Sequence, residues 1–307
     1  MRLKRLRRRR GGVIDRRGEP GPGGLGGFPS GGGGFPIPTG AGIPVVLVVL
    51  ILLVLGALQL FGGDEGFGDI GGGFDRLDEQ VSPNPGAPAV DPEARLVKFV
   101  DAVVDDVQVT WEEEFARSGL TYEPTSVVLF SGSTRSGCGS ASASTGPFYC
   151  PADRLVYLDL DFFRELERRF GAPGDFAEAY VIAHEVGHHV QTLLGTNAEV
   201  QRASRADPDR ANELSIRLEL QADCLAGVWA HSTGRRDILE RGDVEEGIAA
   251  ASAVGDDRIQ KQATGATNPE TWTHGSSRQR VAWFQRGLGN GQLADCDTFG
   301  TEIAADR

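Results

Sequence analysis

Methionine occurs once in the 307 residues, at Met1, lysine three times and histidine five. A single terminal methionine rules out any site motif that needs an internal one. Lysine is outnumbered by twenty-eight arginines, a bias that points to a GC-rich coding sequence and carries no functional information. No segment repeats, so nothing indicates a repeat array. Basic surface is missing where nucleic acid would need it. The net charge of −12 divides into +7 on residues 1–42, where nine Lys/Arg face Asp15 and Glu19, and −19 on the remainder. A nucleic-acid binder needs positive charge on its folded part, so that class is excluded. Cysteine is scarce too: Cys138, Cys150, Cys224 and Cys296, without the spacing of a zinc ribbon. Four cysteines in an oxidising compartment suit two disulfides. Three pairings are possible, and joining nearest neighbours gives Cys138–Cys150 and Cys224–Cys296.

Long apolar runs are absent except for one. Residues 43–61, "IPVVLVVLILLVLGALQLF", carry Gln59 as their only strongly polar side chain. At about 1.5 Å per residue they span roughly the 30 Å core of a bilayer. The run exceeds the roughly 7–15 apolar residues of a signal peptide, and no small-residue cleavage pattern follows it. It reads as an uncleaved, single-pass anchor in the inner (plasma) membrane. The arginines before it predict a cytoplasmic N-terminus, with residues 62–307 on the periplasmic or extracellular side. Residues 11–42 are Gly/Pro-rich, and the whole of 1–42 reads as a basic disordered tail. Residues 62–90 read as a flexible acidic linker.

The body, residues 91–307, is expected to be α+β. Asp91 and Pro92 suit the start of a helix whose apolar positions are Leu96, Phe99, Val100, Val103, Val107 and Trp111. "TSVVLF" (125–130) reads as a buried strand, and "GPFYC" with "RLVYLDL" as a hairpin around a Pro-Ala-Asp turn. Helices follow over "DFFRELERRFG", over "DFAEAYVIAHEVGHHVQTLLG" capped by Asp175, and from about Asp207 to His231. "VEEGIAAASAVG" and "SSRQRVAWFQRGLG" are two more.

Three of the five histidines fall within "YVIAHEVGHHVQ", residues 180–191. His184 and His188 are four apart and so share a helix face, where two imidazoles can meet one ion. Glu185 points sideways from them and can reach a water on that ion. This is the His-Glu-x-x-His arrangement of zinc proteases. Gly187 leaves room for a close approach, and His189 faces away as a structural residue. A catalytic zinc needs a third protein ligand. No histidine follows at metzincin spacing, and the methionine turn of that group is impossible here. "RLELQADCLAGVWA" offers the candidate. Burying carboxylates in so apolar a helix costs several kcal/mol each unless they are paired or metal-bound. Glu219 and Asp223 share a face with Gly227. Glu219 is therefore expected to ligate zinc, and Asp223 to accept a hydrogen bond from a ligand histidine.

"HEVGHHVQ", "RLELQADCLAGVWAH", "GPFYCPAD", "GAPGDFAEAYVIAHE" and "THGSSRQRVAWFQRG" closely resemble the bacterial neutral zinc metallopeptidases. That family is membrane-anchored and of gluzincin type, with a downstream Glu-x-x-x-Asp. The resemblance runs from about Asp91 to Phe299. It implies a zincin-like peptidase domain with one Zn²⁺ per chain, held by His184, His188 and Glu219. Glu185 would be the general base on water held by the zinc, and peptides or proteins the substrates. "THGSSRQR" is similar to the Thr-His-Pro…Arg segment of another gluzincin group, with Gly275 in place of the proline. There His274, and less so Arg280, would support the oxyanion, whereas a structural reading makes Ser276 or Ser277 a helix cap. An extended substrate would lie along a strand edge, for which residues 142–149 are the candidate. The competing reading is an envelope assembly or scaffold factor that binds zinc without peptidase activity.

Overall fold

A computed structural model describes residues 1–7, 12–19 and 91–303. The expectations for residues 20–42, the anchor at 43–61 and the linker at 62–90 lie outside the described residues. Among the described residues no helix is long and apolar enough to cross a membrane. The body is α+β, mostly helical with a small mixed sheet.

The predicted apolar stripe lines the inner face of helix α1 (Ala94–Arg117). The helix begins later than Asp91–Pro92 suggests, because the Glu93 N–H donates to the Asp91 carboxylate at 2.9 Å and closes a turn ahead of it. The sheet combines β1 (Val13–Asp15), β2 (Val127–Phe130), β5 (Phe148–Cys150) and β6 (Leu155–Asp159), in the order β1-β2-β6-β5. β2 is parallel to β1 and β6, while β5 runs antiparallel to β6 as the expected hairpin. Alternation along β2 sends Val127 and Leu129 to the helical core and Val128 and Phe130 to a small cluster with Cys150 and Tyr157. Between them, β3 (Ser133–Ser136) and β4 (Gly139–Ser142) form a separate hairpin.

Helices complete the body: α2 (Asp161–Arg168), α3 (Asp175–Leu194), α4 (Thr196–Ala206), α5 (Ala211–Arg235), α6 (Asp243–Ala253), α7 (Asp256–Thr264) and α8 (Ser277–Asn290). The sequence reading missed α4 and α7 and started α5 too early. α4 buries no residue at all, so no apolar stripe marked it. Ser276 caps α8 in a reciprocal box with Gln279. Both disulfides join the expected partners, Cys138–Cys150 and Cys224–Cys296, with Cα atoms 5.8 and 5.5 Å apart.

Two close helix crossings shape the interior. A Cβ on Gly187 of α3 would lie 3.2 Å from the Ala222 carbonyl oxygen of α5. The room that Gly187 provides is thus taken by backbone. On the other side of α5, a Cβ on Gly227 would come within 2.2 Å of the Phe284 carbonyl, and one on Gly287 within 2.0 Å of the Cys224 carbonyl. α5 is held between α3 and α8 at backbone distance.

The expectation that all of residues 1–42 form a disordered tail is corrected. β1 pairs with β2 through Val13–Val127 and Ile14–Val128, and Met1 and Leu6 are buried in the main core. The Met1 ammonium lies 2.7 Å from Asp175, 3.3 Å from Glu240 and 3.4 Å from Asp243. Average composition over 1–42 is Gly-rich and basic, and it masks the short apolar pieces that dock.

Candidate metal centre

Helical spacing places His184 and His188 on one face of α3, and the Gly187–Ala222 crossing brings α5 against that face. The result joins three groups that the sequence proposed separately. His184 Nε2 lies 3.3 Å from one carboxylate oxygen of Glu219, and His188 Nε2 lies 3.4 Å from the other. The three ligand atoms fall within 4.8 Å of one another.

The outer partners set which nitrogen faces inward. His184 Nδ1 sits 2.9 Å from Asp223 Oδ1, and His188 Nδ1 sits 2.8 Å from the Gln191 side-chain oxygen. Each acceptor takes an Nδ1–H, which turns each Nε2 toward Glu219 and makes it the nitrogen that a metal could take in place of a proton. Gln191 is itself held, its amide donating to the Leu218 carbonyl at 2.7 Å and to Gln221 at 3.1 Å. Asp223 is wholly buried and accepts from Tyr180, from Arg280 Nε at 2.8 Å and from Arg280 Nη2 at 2.9 Å.

Charge in this cluster favours a cation. Burial opposes a charge on His184, but Asp223 and Glu219 outweigh it and raise the imidazole to about 9. Burial likewise opposes ionisation of Glu219, and His188 and His184 override it, holding the carboxyl well below its ordinary range. Two imidazole nitrogens and a carboxylate oxygen in one spot form the donor set of a catalytic zinc. Glu185, 8% exposed, follows His184 directly in the chain, and its negative charge adds to those that raise His188.

His274 enters from the loop before α8. Its Nδ1 lies 3.1 Å from Asp256 Oδ1, while Asp256 Oδ2 accepts from the backbone N–H of Thr273, His274 and Gly275. Burial works against a proton on the ring, but Asp256 and the nearby Glu219 raise its affinity for one. Gly275 adopts φ 88°, a left-handed conformation that suits glycine where a proline stands in the similar motif. Arg280 is placed otherwise than as an oxyanion donor: it is 3% exposed, with Nε and Nη2 committed to Asp223.

The family model described as "Putative neutral zinc metallopeptidase" matches residues 1–299. The chain belongs to that family. Among its relatives, the uncharacterized protein YpfJ of Escherichia coli is 42% identical over 299 residues, covering 97% of this chain and 98% of its own length. The uncharacterized protein Rv2575 of Mycobacterium tuberculosis is 52% identical over 182 residues, covering 56% of this chain and 61% of its own. No solved structure matches the chain.

In this member of the family the sequence reading missed three residues around the centre, Tyr180, Gln191 and Asp256, and gave Arg280 another role. Tyr180 and Gln191 lie four before His184 and three after His188, on the ligand face. Polar groups on that stripe of an otherwise apolar helix were the available signal. Asp256, and Arg280 as partner of Asp223, had no local signal, since each meets the site only through the fold. His189 is structural as expected: its Nε2–H donates to the Glu123 carbonyl at 2.6 Å, so Nδ1 accepts from Tyr149 at 3.1 Å.

Proposed function

We propose that the chain is a zinc-dependent endopeptidase of zincin type that cleaves peptide bonds of protein substrates outside the cytoplasm. The observation that carries this reading is the convergence of His184 Nε2, His188 Nε2 and Glu219 within 4.8 Å, with Glu185 beside them. One zinc bound there would supply Lewis acidity for a carbonyl and for a water molecule. Glu185 accepts the proton of the attacking water on its carboxylate and passes it to the leaving amine. Asp223 and Gln191 keep both imidazoles in the tautomer that exposes Nε2. His274, oriented by Asp256, donates toward the oxygen on which negative charge develops.

An extended substrate is accommodated at β5. This strand is one edge of the sheet among the described residues, antiparallel to its neighbour, and Tyr149 ties it to α3 through His189. Only the last part of residues 142–149 belongs to that edge, because residues 143–145 form a tight helical turn. Two disulfides support a compartment outside the cytoplasm, and residues 43–61 would hold the protein at the bilayer.

The test is hydrolysis of an unfolded protein by the full zinc-loaded chain, wild type against Glu185→Gln. A loss of about 10²–10⁴-fold with zinc retained is the expected result. Equal cutting by both forms, or none by either, would leave the zinc-binding assembly or scaffold reading in its place.

A further inference from the structure

The N-terminal segment is built into the body at points that the fold cannot leave open. β2 is at most 1% exposed along its length, yet its outer hydrogen bonds go to residues 12–16. The Val127 N–H donates to the Gly12 carbonyl at 2.7 Å, and the Leu129 carbonyl accepts from Arg16 at 2.8 Å. Each such buried group left without a partner would keep the full penalty of its removal from water. Asp106 in α1 is also fully buried, and its partners include the backbone N–H of Arg7 at 2.8 Å beside Arg236 and Trp229. Gly12 lies so close to α1 that a Cβ there would be 2.8 Å from Val104 Cγ1. Arg17 closes the set, bridging Asp91 and Glu93 at 2.7 Å each where the body begins.

We propose that residues 1–19 are a permanent clasp of the metal-binding body, so that the N-terminal segment and the zinc centre occupy the same side of the membrane. The reasoning is topological. A chain that crosses a bilayer once between residue 19 and residue 91 puts its two flanks in different compartments, and the ladder between β1 and β2 cannot form. Docking therefore requires an even number of crossings, including none, between those residues. This cannot hold together with flanks on opposite sides of the membrane, the topology expected from the arginines, whose side chains at positions 2, 5, 7 and 17 are engaged by Asp237, Asp106, Glu113, Asp91 and Glu93 of the body. The proposal stands independently of peptidase activity.

Two single-cysteine reporters in the full chain, Glu19→Cys and Leu120→Cys, test it. Both positions are exposed, and the native cysteines are paired. Spheroplasts of expressing cells are treated with a membrane-impermeant maleimide before or after lysis. Both reporters should label before lysis, or both only afterwards. One labelling before and the other only after would overturn the proposal. Docking itself is read from Gly12→Cys combined with Val104→Cys, because the ideal Gly12 Cβ lies 3.4 Å from Val104 Cβ, near the roughly 3.5–4.5 Å of a disulfide. The purified full chain should show a third disulfide by mass after mild oxidation. Two thiols still free to react with maleimide would also overturn it.

Discussion

Replacing Asp223 by asparagine changes one oxygen to an amide at a position that serves four donors. Oδ1 receives Tyr180, His184 Nδ1 and Arg280 Nη2, and Oδ2 receives Arg280 Nε. The amide nitrogen would clash with the fewest donors at the Oδ2 position, facing Arg280 Nε. His184 then keeps its acceptor but loses the neighbouring negative charge, and Arg280 loses its buried counter-ion. Breaking such a pair from one side costs about 3–5 kcal/mol, a large fraction of the roughly 5–15 kcal/mol of a typical domain. Weakened orientation of a ligand histidine should lower zinc affinity about 10–100-fold, or about 1.4–2.7 kcal/mol.

The assay is competition with a chromogenic chelator, alongside urea unfolding with and without zinc. Free zinc at 100 times the dissociation constant should stabilise the wild type by about 2.7 kcal/mol, and the variant by distinctly less at the same concentration. Tyr180→Phe is the control, since it removes one donor and keeps the charge. It should cost about 1–2 kcal/mol and leave zinc affinity near wild type. If Asp223→Asn lost stability yet bound zinc as tightly as wild type, the idea that Asp223 orients His184 would be refuted.

Elemental analysis of Glu219→Gln should find most of the zinc gone, whereas Glu185→Gln should retain about one ion per chain. Gly227→Ala forces a methyl to within 2.2 Å of the Phe284 carbonyl, so it should cost at least about 3 kcal/mol in denaturant titrations, and a near-neutral result would contradict the crossing. Replacing Cys224 and Cys296, 72 residues apart, by serine should cost about 4 kcal/mol. The same change at Cys138 and Cys150, 12 apart, should cost about 3 kcal/mol. Glu178 on α3 is pushed up to about 7 by burial, with Asp175, Glu167 and Glu246 adding to it. Its proton is held more tightly in the folded state, so the cost of ionising it sets in above about pH 4.5 and is complete above about 7. Glu178→Gln should accordingly raise stability by about 1–3 kcal/mol at pH 8 and by nothing at pH 4. An equal gain at both values would show that burial of the charge is not the cause.

His184 and His188 were legible in the sequence because a helix repeats every 3.6 residues and puts positions four apart on one face. The same rule paired Glu219 with Asp223, since two acids in an apolar helix need a reason to be there. An unbroken apolar run marked β2, the Pro-Ala-Asp turn between two apolar stretches marked β5 and β6, and a simple preference for neighbours found both disulfide pairs. These are local properties, carried by a few consecutive side chains. Contacts between distant segments have no such signature. Which turn of α5 faces α3 depended on the Gly187–Ala222 crossing, and the role of Arg280 depended on α8 approaching α5 at Gly227 and Gly287. The docking of residues 1–19 was hidden most completely. "VID" is too short to declare itself a strand, and its partner is more than a hundred residues away. Only in the tertiary structure does the buried edge of β2 show the need for it, because backbone groups removed from water must find hydrogen bonds wherever the chain can supply them.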